Sequence, residues 1–312
     1  MFYPQLVAGP IERPQNLLPQ FREKHIFTGD NFKIGLSQMA FGFFKKVVIA
    51  DRLAMGVDYS FANAVDQSGL SLAVSAIFYS FQIYCDFSGY SDIAIGAARI
   101  MGFKLLTNFN APYFSRSISE FWKRWHISLS TWFRDYLYFS LGGNRVKNHG
   151  VYLNLFIVFL ISGLWHGANW TFVIWGSIHG LIMIIERGFK AFWEKFNIIL
   201  NKYIITVFRI IVTFIIVTLA WVFFRAESSS KAVYILHKIF NLSLNDTITS
   251  PLNNAELLFS FCLIAILMCK EKWFSKINAK NNIVFVFFII LISLCCYFFG
   301  VFDNKQFIYF QF

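Results

Sequence analysis

The chain has 312 residues, of which 57% are hydrophobic and 14% are charged, and 40 of them are phenylalanine. A soluble domain usually carries about 25% charged residues, so this composition excludes a water-soluble fold, which would leave too much apolar surface uncovered. The net charge of +11 lies in short segments between apolar runs, which is typical of the cytoplasmic side of membrane proteins and argues against a nucleic-acid partner.

Seven apolar segments are long enough, or nearly so, to cross a membrane as helices. In chain order they are 34–50, 70–102, 151–168, 169–186, 203–224, 256–270 and 283–302. The first contains Lys45 and Lys46, so we expect it to be tilted or partly buried against protein, and 256–270 is short for a crossing. Together these segments predict an all-α, polytopic transmembrane fold in a single domain over residues 1–312.

Segment 70–102 contains a polar stretch with two carboxylates, Asp86 and Asp92. Carboxylates near the middle of a membrane are costly unless they face a cavity or a partner. We therefore expect one crossing by a broken or bent helix that faces the protein interior. An acid–base role for Asp86 and Asp92, and an ion pair of these carboxylates with Arg99 or Lys104, are both open at this point.

The distribution of charge predicts the orientation. Residues 103–150 carry seven Lys and Arg side chains against Glu120 and Asp135, so we expect this stretch to face the cytoplasm. Counting the crossings that follow puts the nearly charge-balanced stretch 226–255 outside. Within the basic stretch, the sequence from Ser119 to Tyr138 predicts an amphipathic helix that lies at the membrane interface or folds back into the membrane.

Three of the six histidines are candidates for chemistry. His166 lies in the block GLWHGA at the turn of an apolar hairpin, His179 in WGSIHG, and His126 after WKRW in the basic stretch. An imidazole among apolar and small residues is kept neutral by desolvation, so it can accept a proton from a hydroxyl. The alternative for each is a histidine that is buried and hydrogen-bonded for structure alone.

Basic residues of the same stretch are candidates for binding phosphates. Arg124, Arg134 and Arg145, with the turn at Gly142 and Gly143, could hold the phosphates of an acyl-coenzyme A. The alternative is positive charge that faces anionic lipid and needs no ligand. The five cysteines form no paired CxxC motifs, so the sequence predicts neither a metal site nor a disulfide framework.

Several long blocks resemble the membrane-bound O-acyltransferase family, in particular its bacterial branch that serves alginate and peptidoglycan O-acetylation. They are PQLVAGPIERP at 4–14, FKKVVIADR at 44–52, YCDFSGYSDIAIG at 84–96, NFNAPYFSRSISEFWKRWHISLSTWFRDYLYFSLGGNR at 108–145, GLWHGANWTFVIWGSIHG at 163–180 and FIYFQF at 307–312. The resemblance implies a ring of membrane helices around a central tunnel, in the bacterial cytoplasmic (inner) membrane. It also implies that no cofactor is bound and that acetyl-coenzyme A (acetyl-CoA) is the acyl donor.

The resemblance also implies roles for individual residues. The histidine of GLWHG, here His166, is the catalytic one, and the histidine of RWH, here His126, assists or positions; for His179 the structural interpretation is favoured. The candidate substrate-binding residues in these blocks are Trp165, Asp86, Trp122, Arg124, Trp125, Arg134, Asn144 and Arg145. The implied partners are a polysaccharide acceptor, the lipid bilayer and an extracytoplasmic SGNH-hydrolase-like acetyltransferase.

Alternatives to polysaccharide O-acetylation follow from the same residues. Teichoic-acid D-alanyl transferring members share the SLS block but typically lack LGGNR, so acetyl transfer ranks first. A transporter or flippase of a lipid-linked sugar would explain the helices but not the histidines among glycine and tryptophan. Family members usually carry further helices before PQLVAGP, so we expect this chain to be N-terminally truncated, and an inactive remnant is a third alternative.

Overall fold

The regular structure of the chain is helical. A computed structural model describes residues 2–5, 9–193, 202–273 and 281–302, and every regular element in those ranges is a helix, which confirms the all-α prediction. The α-helices are α1 (Pro14–Gln20), α2 (Gly29–Phe43), α3 (Asp51–Ala62), α4 (Gly69–Ile100), α5 (Ile118–Trp122), α6 (Ile127–Phe133), α7 (Asn148–His166), α8 (Trp170–Trp193), α9 (Lys202–Arg225), α10 (Ser229–Phe240), α11 (Asn254–Trp273) and α12 (Asn282–Phe299). Two π-helical segments, Phe44–Ala50 and Arg134–Tyr138, continue α2 and α6. The predicted block 307–312 lies outside the described residues.

Within the described ranges, five helices are long and apolar enough to cross a membrane. They span Gly69–Ile100, Asn148–His166, Trp170–Phe189, Tyr203–Arg225 and Asn282–Phe299, as predicted within a few residues. The weaker predictions 34–50 and 256–270 are helical but are not among these five. In α11 the uncharged stretch between Glu256 and Lys270 is only about 20 Å long at 1.5 Å per residue, less than the hydrocarbon thickness of about 30 Å.

The prediction of a broken or bent helix over 70–102 was wrong about the break, because α4 runs without interruption through the polar stretch. The carboxylates find cationic partners on the neighbouring helical segment instead: Lys45 lies 2.5 Å from Asp92, and Lys46 lies 2.6 Å from Asp86. Since side chains satisfy the polar groups, the backbone does not have to unwind. Two glycines bring these segments together, because a Cβ on Gly89 would lie 2.7 Å from the carbonyl oxygen of Gly42.

Contacts divide the chain into two compact units. The first comprises residues 1–59, 81–108 and 250–312, and contains the Lys45 and Lys46 ion pairs. The second comprises residues 60–80 and 109–249, and contains α5 to α10 with all three candidate histidines.

Candidate active site

The hairpin of α7 and α8 places His166 at the end of a membrane-spanning helix. Helix α7 ends at His166, and α8 begins at Trp170, as the sequence predicted for the hairpin turn. The two helices pack backbone to backbone, since a Cβ on Gly163 would overlap the carbonyl oxygen of Phe172, and one on Gly176 would overlap that of Phe159. This close approach brings the His166 ring to 5.3 Å from the Trp175 ring, centroid to centroid.

The prediction of one amphipathic helix from Ser119 to Tyr138 was wrong in its continuity. Helix α5 ends at Trp122, and α6 begins after His126, whose backbone is left-handed with φ 41°. The break is stabilised from outside the helix, because the carbonyl of Arg124 accepts a hydrogen bond of 2.9 Å from the Asn110 amide. A non-glycine residue in this conformation is uncommon, and such residues cluster at functional sites.

The start of α5 is fixed by two acceptors. The Ser117 hydroxyl caps the helix by accepting from the Glu120 amide at 3.0 Å. The carboxylate of Glu186 on α8 accepts from the amides of Ile118 and Ser119 at 2.6 and 3.0 Å. Carboxylates stabilise helix N-termini because the first amides have no partner within the helix. The WKRWH block is therefore attached to the same helix that carries Trp175 and His179.

Five aromatic side chains form a continuous series of ring contacts that leads from His166 to the WKRWH block. His166 lies edge-on to Trp175 and to Phe224, with ring centroids 5.3 and 5.1 Å apart. Trp175 stacks on Trp221 at 5.5 Å, and Trp221 lies 5.1 Å from Trp125. Trp122 closes the group at 5.7 Å from Trp175. We call Trp122, Trp125, Trp175, Trp221 and Phe224 the aromatic cluster.

The two histidines with predicted catalytic roles are buried beside this cluster. His126 is 6% exposed and His166 is 9% exposed. Burial, and to a smaller extent the proximity of His166, lowers the pKa of His126 to about 3. A group with this pKa is neutral near pH 7, since protonation would place a charge in an apolar environment. His126 can therefore act as a neutral hydrogen-bonding group at physiological pH.

His179 lies in the same environment and has a clear structural contact. Its ring is fully buried, and its Nδ1 accepts a hydrogen bond of 3.3 Å from the indole Nε1–H of Trp122. Its ring also lies 5.1 Å from that of Trp175. His179, for which a structural role was favoured, therefore contacts the same aromatic cluster that His166 contacts.

Of the predicted substrate-binding residues, only two lie in the aromatic cluster. Trp122 and Trp125 belong to the aromatic cluster. Trp165 does not, because it is 63% exposed and its ring lies 6.2 Å from that of Trp132 on α6. Asp86 belongs to the first unit, where it pairs with Lys46.

The other predicted substrate-binding residues are Asn144 and the three arginines proposed to bind phosphates, and they are half-buried or exposed. Arg124 pairs with Glu120 at 2.8 Å, and Arg134 pairs with the adjacent Asp135 at 2.8 Å. Asn144 and Arg145 are exposed, and the Asn144 side-chain oxygen accepts a hydrogen bond of 2.8 Å from the Tyr138 hydroxyl. These contacts give Arg124, Arg134 and Asn144 a structural partner. The role of all four residues toward a ligand stays a prediction.

Sequence reasoning missed Trp175, Trp221 and Phe224. The sequence carries no signal for Trp221, because a tryptophan toward the end of the span Tyr203–Arg225 is typical of an interfacial anchor, and only the structure shows that it is 1% exposed. Trp175 precedes His179 by four residues, a spacing that places both on one face of a helix.

Comparison with known proteins identifies the family of the chain. The family model of the membrane-bound O-acyltransferases matches residues 1–227, which include α5 to α9. A peptidoglycan O-acetyltransferase of Helicobacter pylori is 44% identical over 78% of this chain and 46% of its own length. A probable alginate O-acetylase AlgI of Pseudomonas aeruginosa is 45% identical over 82% of the chain and 47% of its own length. A teichoic acid D-alanyltransferase of Bacillus subtilis is 28% identical over 73% of the chain and 60% of its own length.

The chain therefore belongs to the membrane-bound O-acyltransferase family. It spans about half the length of the curated relatives that it matches at 44 to 46% identity.

Proposed function

We propose that the protein transfers an acetyl group from cytoplasmic acetyl-CoA to a hydroxyl in the O-acetylation of an exported or cell-wall polysaccharide, in the bacterial inner membrane. One observation carries this proposal: His166 is buried at the end of a membrane-spanning helix, in contact with Trp175 and Phe224 and close to His126. A neutral imidazole in this position is suited to accept a proton from an alcohol.

The reaction is an acyl transfer in which His166 moves one proton. His166 takes the proton of the acceptor hydroxyl while that oxygen attacks the carbonyl carbon of the thioester. The tetrahedral intermediate collapses, the carbon–sulfur bond breaks, and the coenzyme A thiolate leaves with the proton from the imidazolium. One ester forms and one thioester is consumed, so no other reactant is needed.

The names of the relatives support an acetyl group and a polysaccharide acceptor. The proteins at 44 to 46% identity are named for O-acetylation of peptidoglycan or alginate, whereas those named for D-alanylation of teichoic acid are 28 to 33% identical. An extracytoplasmic SGNH-hydrolase-like enzyme would complete the transfer to the polymer. On the donor side, the exposed Arg134 and Arg145 carry positive charge that suits the phosphates of coenzyme A.

Acetyl transfer by the purified chain in lipid nanodiscs tests this function. With radiolabelled acetyl-CoA we expect release of free coenzyme A and transfer of label to a hydroxyl acceptor. His166→Ala should reduce the rate by about 100-fold or more, because general-base catalysis usually contributes that much. His149→Ala, at an exposed histidine, is the matched control and should retain the rate. Equal rates for the wild type and His166→Ala would refute the proposed role of His166.

A further inference from the structure

Trp175, Trp221 and the adjoining His179 each carry a buried nitrogen atom that has no hydrogen-bond partner among the described residues. The atoms are Nε1 of Trp175, Nε1 of Trp221 and Nε2 of His179. The two tryptophans are 1% exposed, and His179 is fully buried. Buried polar atoms of native proteins are nearly always hydrogen-bonded, so three such atoms without a partner on neighbouring side chains require an explanation.

All three nitrogens are hydrogen-bond donors. Indole Nε1 carries a hydrogen and has no acceptor capacity. His179 accepts from Trp122 at Nδ1, so its ring is the tautomer that carries the hydrogen on Nε2. The site therefore has an excess of N–H donors, and the complement to such an excess is a ligand that brings oxygen acceptors.

The ring of Trp175, which carries one of the three donors, contacts His166 and the two side chains that carry the other donors. Trp175 lies 5.3 Å from His166, 5.5 Å from Trp221 and 5.1 Å from His179, centroid to centroid. An acyl group presented to His166 would therefore lie next to Trp175 before any other donor of the three.

We propose that the indole N–H of Trp175, with that of Trp221 and Nε2–H of His179 beside it, donates to the carbonyl oxygen of the acyl group. This inference rests on the proposed function, because it assigns the oxygen-binding side of the same reaction. When the hydroxyl oxygen attacks the carbonyl carbon, the electron pair of the C=O bond moves to this oxygen. Fixed N–H donors in a dry site stabilise the negative charge until the pair returns and the thiolate leaves.

The structural alternative is that each N–H points at the face of a neighbouring ring. Trp175 lies nearly perpendicular to His166, at 87°, and Trp221 lies nearly perpendicular to Phe224, also at 87°. Contacts of an N–H with an aromatic face are weak. The two interpretations differ in whether removing the N–H changes the recognition of a carbonyl.

Binding of two coenzyme A derivatives separates these interpretations. Acetyl-CoA and S-ethyl-CoA differ only in the carbonyl oxygen, and their affinities are measured by competition in nanodiscs, with His166→Ala as the background so that no turnover occurs. We expect a preference of about fivefold for acetyl-CoA, the equivalent of one net hydrogen bond. Trp175→Phe should remove that preference by weakening acetyl-CoA alone.

Two further variants guard against loss of the fold. Trp170→Phe, at an exposed tryptophan of the same helix, is the matched control and should keep the preference. Replacing Trp175 with benzothienylalanine keeps the volume of the indole and removes only the N–H, so it should act as Trp175→Phe does. In the otherwise wild-type chain, either change should lower kcat by about 100-fold and raise KM by no more than the fivefold that is lost in binding.

The possible failures are distinguishable. If the wild type releases coenzyme A in a manner that depends on His166, but Trp175→Phe or the benzothienylalanine variant keeps both the preference and kcat, the inference about the N–H is overturned and the function stands. If S-ethyl-CoA and acetyl-CoA bind equally to the parent protein, the inference also fails. If neither derivative binds and no coenzyme A is released, the proposed function fails as well.

Discussion

The buried imidazole of His126 should make the folded protein less stable as the pH falls. Its pKa is about 3 in the folded chain because of burial and of the nearby His166, against about 6.5 in an unfolded chain. Between these values the unfolded state binds more protons than the folded state, so stability is retained above pH 6.5 and falls as the pH falls toward 3.

A variant that cannot titrate isolates this contribution. His126→Asn is neutral at every pH, and asparagine tolerates the left-handed backbone of this position. We expect the thermal midpoint of the wild type to fall more steeply than that of His126→Asn between pH 7 and pH 4.5, measured in detergent. His149→Asn, at an exposed histidine, should follow the wild type. Parallel curves for the wild type and His126→Asn would contradict the buried, neutral state of His126.

At the scale of single residues, motif context singled out His166 and His126, and the structure buries both within the second unit. Their catalytic roles stay predictions. The only signal for Trp175 is its place on the same helix face as His179, and Trp221 had none, because tryptophan in a membrane protein is explained equally well by packing or by interfacial anchoring. Trp221 comes from α9 and approaches Trp125 only through the packing of separate helices. No local pattern in the sequence encodes that contact.

At the scale of elements, the packing of α7 against α8 determines the distance between His166 and Trp175. Gly176 lies where a side chain would overlap the backbone of Phe159, whereas Gly188 on the same helix has nothing within 4 Å of an added Cβ. Gly176→Ala should therefore force the helices apart and destabilise the protein by about 1–3 kcal/mol. The separation should also lower the rate of coenzyme A release.

Gly188→Ala is the matched control for that change. Because its Cβ meets no neighbour, we expect an unchanged or slightly raised thermal midpoint, as alanine favours a helix over glycine. Both variants are compared by thermal unfolding in detergent and by coenzyme A release. If Gly176→Ala matches Gly188→Ala in both measurements, the close packing of the hairpin does not position the site.

The ends of the apolar helices follow from the local sequence, whereas the continuity of α4 and the break before α6 do not. The strongly apolar segments predicted both ends of α4, α7, α9 and α12 to within three residues, because length and hydropathy are local properties, whereas α8 continues seven residues beyond its predicted end. The continuity of α4 was mispredicted because the cations that neutralise Asp86 and Asp92 come from residues about 40 positions earlier. The break before α6 was missed because an amide from Asn110, outside the helix, stabilises it.

At the scale of the whole molecule, the arrangement of charge predicts which loops share a side of the membrane. Three spans, Asn148–His166, Trp170–Phe189 and Tyr203–Arg225, separate Lys147 from residues 226–255. An odd number of crossings places these stretches on opposite sides, and the basic residues of 103–150 favour the cytoplasm for the first.

Cysteine labelling checks this orientation. In a background with the five native cysteines replaced by alanine, Leu244→Cys should react with a membrane-impermeant maleimide in right-side-out vesicles, because Leu244 is fully exposed. Lys147→Cys should react only after the vesicles are permeabilised. Labelling of both positions from the same side would contradict the three crossings between them.

The ring of helices around a tunnel remains a prediction from the family resemblance, and so do the donor and the acceptor. Contacts within the chain define two compact units. The second unit contains the candidate histidines and the aromatic cluster. Residue patterns within that unit account for its helices, while its site depends on contacts between α5, α7, α8 and α9.

The most direct measurement is a structure of the protein with acetyl-CoA in which nitrogen replaces the thioester sulfur, so that the carbonyl is kept and no transfer occurs. We expect the acetyl group in van der Waals contact with the His166 ring, with its oxygen about 3 Å from the Nε1 of Trp175. Density for the acetyl group in the first unit, or elsewhere away from His166, would contradict the placement of the active site at His166.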